Sequence, residues 1–158
     1  MHERSKTMGI SLSGIFDINS IKNDFDGKTK EMAIAELIDS ITVLHPECKR
    51  SELFAAIMER ERKMTTGIGN GIAIPHANCR GISSMSGAIG ISKQGLDYGA
   101  LDNKPVHIIF LLAATEKADE NHLRILNLIL KFAQSEAFTI IKNAKTADEI
   151  HALLSRVQ

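Results

Sequence analysis

The run KPVHIIFLLAAT, residues 104–115, constrains the fold more than any other stretch of the chain. From Ile108 to Ala114 every position is apolar, and no polar residue alternates with them. A strand of that kind is covered on both faces, so it predicts the centre of a sheet with helices on each side. The surrounding sequence supplies the cover. Residues 28–44 carry Met32, Ala35, Leu37, Ile38, Ile41 and Leu44 at helical spacing, and His45-Pro46 stops the helix. Residues 51–63 read as a second helix, capped by Ser51, with Leu53, Phe54, Ile57 and Met58 facing inward. After the strand come a strongly periodic helix over 118–134 and two shorter ones, the last entered through Thr146-x-x-Glu149, a capping box. GIAIP (71–75) and MSGAIGIS (85–92) are shorter strand candidates. Helices before and after a group of strands predict an α/β domain.

Length and composition narrow the function. A chain of 158 residues that is 44% hydrophobic fits one domain with a sizeable core. Residues 1–13 are polar and aperiodic and read as a flexible arm, leaving 14–158 as the domain. Lys plus Arg and Asp plus Glu balance at 19 each, which argues against a nucleic-acid binder. No signal-peptide pattern opens the chain, and IIFLLAA is far short of the ~20 apolar residues of a membrane span. A soluble, cytoplasmic protein is expected, with no membrane insertion. Cys48 and Cys79 are too few for a disulfide framework and are expected to be reduced thiols.

TTGIGNGIAIPHANC, residues 65–79, carries the chemistry. Gly67, Gly69 and Gly71 suggest a nucleotide loop, but position 72 is isoleucine and no Gly-Lys-Ser/Thr follows. The loop also precedes a strand, whereas nucleotide loops precede a helix. A tight turn accounts for the glycines. It does not account for Pro75-His76 at the end of the strand. Proline fixes its own φ and holds the next side chain at a defined angle.

RERKMTTGIGNGIAIPHA (60–77) resembles the signature of enzyme IIA of the bacterial phosphotransferase system, in its mannitol, fructose and nitrogen-regulatory class. GLDYGALDNKPVHIIFLLAA (95–114) and NHLRILNLILKFA (121–133) are similar to two further family motifs, in the same order. The resemblance implies a single-domain α/β/α sandwich around a mixed, parallel and antiparallel, sheet of about five strands. It implies that His76 accepts a phosphoryl group from an HPr-type carrier, that His122 lies beside it, and that Arg60, followed by Glu61, belongs to the site. Thr66 holds the loop's hydroxyl position. Lys63, Met64 and Ala77 depart from the commoner Leu, Gly and Gly.

These residue types suit phosphoryl transfer, in which the protein mainly positions groups and stabilises charge. A neutral imidazole attacks through one nitrogen while an acceptor, expected to be a backbone carbonyl, holds the proton on the other. Arg60 can fork onto phosphoryl oxygens, with the Thr66 hydroxyl and the 66–70 amides as further donors. Glu61 is expected to orient Arg60 or His122. No cofactor or metal is required, because the donor is a phosphohistidine. The onward partner is a IIB cysteine in sugar uptake or a regulatory target. With no IIB or IIC segment among the 158 residues, the free-standing nitrogen-regulatory phosphotransferase component is expected. Two other classes compete. His76-x-x-Cys79 with His122 has the spacing of a metal-hydrolase ligand set, and an unmodified interaction module would use the same loop without chemistry. His107 reads as structural; His2, His45 and His151 read as surface residues.

Overall fold

The computed structural model describes residues 11–116 and 120–157. A short helix α1 (Leu12–Ile15) leads into β1 (Phe16–Asn23), then α2 (Lys30–Leu44) and α3 (Arg50–Lys63). Three short strands follow: β2 (Gly67–Gly69), β3 (Ile72–Ala73) and β4 (His76–Asn78). The long strands β5 (Ser86–Leu96) and β6 (Val106–Ala114) precede α4 (Glu120–Ala133), α5 (Ala137–Lys142) and α6 (Ala147–Leu154).

The strands form one six-stranded sheet in the order β1-β5-β6-β3-β2, with β4 also on β6. β5 runs antiparallel to β6, while β1 on β5 and both β3 and β4 on β6 are parallel. The sheet is therefore mixed, and helices cover both faces. β6 shows why its sequence lacks alternation. Ile109, Leu111 and Ala113 face one core with Ile34, Leu37, Ile38, Leu53 and Ile57 of α2 and α3. Ile108, Phe110 and Leu112 face the other, with Leu12, Ile125, Ile129, Ile150 and Leu154 of α1, α4 and α6. Each face has its own apolar cover, as expected of a central strand.

Several details differ from the sequence reading. The inward face of α2 is Ala33, Ile34, Leu37, Ile38 and Ile41, while Met32 and Leu44 are exposed. Thr29 caps α2 by accepting from the Met32 N–H at 3.1 Å, and α3 starts after Lys49 with no side-chain cap, so Ser51 is not its cap. At α6 the Thr146 hydroxyl accepts from the Glu149 N–H at 3.2 Å, but Glu149 reaches back to the Lys145 N–H. Most of the expected arm, residues 1–10, lies outside the described residues, as does His2. Leu12, at its far end, is fully buried in the core. β1 pairs with β5 across a register shift between Phe16 and Ile21, which breaks the period-two pattern that would have marked it.

The expectation of two reduced thiols is overturned. Cys48, in the turn between α2 and α3, is joined in a disulfide to Cys79, the residue after β4, with a Cα–Cα distance of 6.4 Å. The two residues are 2% and 4% exposed. Sequence spacing does not reveal that this turn and this strand end meet. The bridge ties the helix pair to the strand that carries His76.

A cross-link spanning 31 residues of sequence removes chain entropy worth roughly 3–4 kcal/mol from the unfolded state. Urea unfolding of the Cys48→Ala/Cys79→Ala double variant is expected to show that loss of stability. An unchanged unfolding free energy would contradict it.

Candidate functional site

β3 and β4 are two pieces of one parallel run along β6. Ile72 and Ala73 pair with Ile108 and Ile109, and His76, Ala77 and Asn78 pair with Leu112, Ala113 and Ala114, at an unchanged offset. Ile74 and Pro75 interrupt the run without shifting it. Pro75 has no N–H to give the ladder, and its carbonyl accepts from the Leu112 N–H at 2.9 Å. The Ile74 carbonyl lies 2.8 Å from His76 Nδ1. A carbonyl only accepts, so Nδ1 carries the proton and Nε2 of the neutral ring carries the lone pair. The expected backbone acceptor is thus the carbonyl two residues upstream.

His76 is half-buried, and the ring of His122, in the first turn of α4, lies edge-on to it with centroids 5.7 Å apart. α3 packs against β4, and Arg60 lies in its last turn with Arg62 and Lys63. Cations there suit the negative end of the helix. Arg60 Nη1 donates to the Met64 carbonyl at 2.8 Å, which leaves the rest of the guanidinium fork available.

The glycine loop turns through Gly69, Asn70 and Gly71 at φ of 100°, 58° and 82°, so the β2–β3 turn needs left-handed backbone at successive positions. Three of the amides expected to form an open nest already have partners within the chain. The Asn70 N–H donates to Asp102 Oδ2 at 3.0 Å, the Gly67 N–H to Thr65 Oγ1 at 3.0 Å and the Thr66 N–H to Glu61 Oε1 at 3.2 Å. Carboxylates and a hydroxyl of this chain already use them.

Glu61 and Thr66 also depart from expectation. Glu61 is 6% exposed, and its carboxylate binds Lys30 and Thr66, while Arg60 turns to Met64. Thr66 is 4% exposed, and its hydroxyl bonds to Glu61 Oε2 and lies 3.0 Å from the Tyr98 hydroxyl. These groups brace the loop from beneath. Burial, and then the Glu61 charge, push the Tyr98 phenol far up, so it stays protonated. His107 is half-buried with Nδ1 2.9 Å from the Ser92 carbonyl, His45 faces Glu47, and the half-buried His151 lies 3.2 Å from the Ser13 carbonyl. Cys79 is bonded to Cys48, so it is not available for a His76–Cys79–His122 metal set.

Sequence reasoning did not single out Ile74, Asp102, Lys30 or Tyr98. The first acts through its backbone and has no residue-type signal. The others meet the loop only through the tertiary fold.

With this geometry in place, the comparisons are specific. Residues 14–157 match the family model described as phosphoenolpyruvate-dependent sugar phosphotransferase system, EIIA 2, and the chain belongs to that family. It is 42% identical to a fructose-specific EIIABC component of Bacillus subtilis, over 69% of this chain and only 17% of that protein. It is 30% identical to a nitrogen regulatory protein of Pseudomonas aeruginosa, over 84% of this chain and 86% of the relative. The crystal structure of nitrogen regulatory protein IIA-Ntr from Neisseria meningitidis superposes with a TM-score of 0.82 at 28% identity, covering 90% of this chain and 98% of the other.

The N–H groups of Lys104 and Asn70 hold the Asp102 carboxyl below its ordinary range. A carboxylate lowered on folding supports the loop fully above the ordinary range and loses that support as pH falls through its own lower value. The Asn70 amide resonance is therefore expected to titrate with a midpoint below the ~3.9 of free aspartate, and Asp102→Asn should abolish the titration. A midpoint at or above the free value would contradict the bond.

Proposed function

We propose that this protein is a phosphoryl carrier that accepts the group on His76 Nε2 from a phosphohistidine of an HPr-type donor. The observation that carries this is the Nδ1–Ile74 bond of 2.8 Å, which leaves Nε2 as the nucleophile. Nε2 forms a bond to phosphorus as the bond from phosphorus to the donor nitrogen breaks, and that electron pair returns to the donor ring. His76 keeps its Nδ1 proton, so the phosphorylated ring is cationic in character and remains a good leaving group for the next transfer. The Ile74 carbonyl stabilises that state. Arg60 and the edge of His122 supply positive charge and N–H donors for the phosphoryl oxygens. A pair of unit charges at 4 Å is worth about 1 kcal/mol in water and about 4 kcal/mol at an effective dielectric of 20, so Arg60 acts most strongly once a docked partner excludes water. Glu61 and Thr66 support the loop from below and do not contact the phosphoryl group.

The partner surface is marked by exposed apolar side chains on the segments that carry the site. Met64 receives the Arg60 bond, Ile68 lies in the loop, Leu101 donates its N–H to the Gly67 carbonyl and Leu123 follows His122. A small protein donor and a protein acceptor fit this surface. Among the described residues no helix is long and apolar enough to cross a membrane. We place the carrier in the cytoplasm with its donor.

Within this role we favour the nitrogen-regulatory type, in which the phosphoryl charge switches binding to a target protein. The likeness to IIA-Ntr, at 28% identity over nearly all of that chain, supports it. The 42% identity to a fructose-specific protein supports a second reading, transfer to a IIB cysteine in sugar uptake.

Incubation with enzyme I, HPr or its paralogue, and labelled phosphoenolpyruvate is expected to leave acid-labile label on the wild type and none on His76→Ala. His122→Ala should accept label but pass it on poorly, and Arg60→Lys should slow transfer at least about tenfold, because the planar fork is lost. Label on His76→Ala would overturn the assignment. Transfer from labelled protein to a fructose-type IIB cysteine would favour the sugar reading over the regulatory one.

A further inference from the structure

Lys30 opens α2, where a cation meets the positive end of the helix and is disfavoured. Its contacts explain the position. Nζ lies 2.7 Å from Glu61 Oε1 and 4.4 Å from the centre of the Tyr98 ring. The same carboxylate accepts the Thr66 N–H on Oε1 and bonds the Thr66 hydroxyl on Oε2. Tyr98 and the Thr66 hydroxyl are 3.0 Å apart. Four elements of the chain thus meet at one buried acid: α2, α3, the glycine loop and the β5–β6 connection.

The hydrogens can be assigned. An ionised carboxylate only accepts, so the Thr66 O–H donates to Glu61, and the protonated Tyr98 O–H donates to Thr66. Gly67 extends the seat, because a Cβ there would lie 2.8 Å from Ala100 and 3.0 Å from the Tyr98 ring. From Thr66 the path runs through the main chain. Its carbonyl accepts from the Ile74 N–H at 3.0 Å, and the Ile74 carbonyl accepts from His76 Nδ1–H at 2.8 Å.

We propose that Lys30 and Tyr98 are positioning residues for the phosphoryl-accepting histidine, acting through Glu61, Thr66 and the Ile74 carbonyl on the His76 ring; this rests on the carrier role proposed above. Removing the Lys30 charge leaves Glu61 buried without its cation. The carboxylate must then move toward solvent, which takes an acceptor from Thr66, or take up a proton, which turns one of its oxygens into a donor; either way its bonds to Thr66 rearrange. The shift reaches Ile74, and with it the tautomer and tilt of His76.

Two readouts on the full chain test this: the initial rate of labelling by phosphorylated HPr-type donor, and the ¹⁵N resonances of the His76 ring, both well below each variant's melting temperature. Lys30→Met is expected to slow labelling about tenfold or more and to move His76 from the Nδ1–H form toward a tautomer mixture. Lys30→Arg, which keeps the charge and donors, should restore both. Tyr98→Phe, which deletes one donor, should slow labelling about three- to tenfold, with a smaller ¹⁵N change. Folded Lys30→Met or Tyr98→Phe with wild-type rate and ¹⁵N pattern would overturn the proposal, as would a rate loss with an unchanged ¹⁵N pattern. If Lys30→Met does not fold, Tyr98→Phe and Lys30→Arg decide by the same criteria. An unlabelled wild type would count against the carrier role itself, while the ¹⁵N comparison still tests the path to His76.

Discussion

The hydrogen bond from His76 Nδ1 to the Ile74 carbonyl is the contact on which the proposed carrier role depends, because it leaves Nε2 as the nitrogen with the free lone pair. Making that bond requires an interruption in a buried strand. A one-residue slip across that interruption would turn His76 to the other face. Here the pairing offset along β6 is the same before and after Ile74-Pro75, so the strand resumes with His76 still half-exposed. The rest of the fold keeps that interruption in place. β6 is fixed by apolar cover on both faces, Cys79 clamps the far end of β4, and the Thr66 carbonyl holds Ile74 from the near end.

Charge is distributed to match. Three of the loop's amides, those of Thr66, Gly67 and Asn70, are already used by Glu61, Thr65 and Asp102. In the carrier role proposed above, positive character comes from Arg60 and His122, side chains that can respond to an arriving dianion. This division suits a carrier that must receive a group and release it.

Much of this was legible in the sequence, and what was missed has physical reasons. The apolar run of β6 announced a covered central strand. Pro75-His76 announced a fixed imidazole, and the motif order pointed to the family that residues 14–157 match. Sequence adjacency to Arg60 and to the glycines says nothing about which way the Glu61 and Thr66 side chains point. Here both point inward, to Lys30 and Tyr98. The disulfide was missed because it joins a turn and a strand end that only tertiary packing brings together. β1 was hidden by its register shift, and the Ile74 carbonyl by being backbone.

The position of phosphorus on the imidazole ring tests the Nδ1–Ile74 constraint directly. Phosphorylated protein, digested under alkaline conditions that preserve phosphohistidine and examined by ³¹P and ¹⁵N NMR, is expected to carry phosphorus on Nε2 of His76. Phosphorus on Nδ1 would mean that the Ile74 carbonyl does not hold that nitrogen when the reaction occurs, and Nε2 could no longer be the nucleophile.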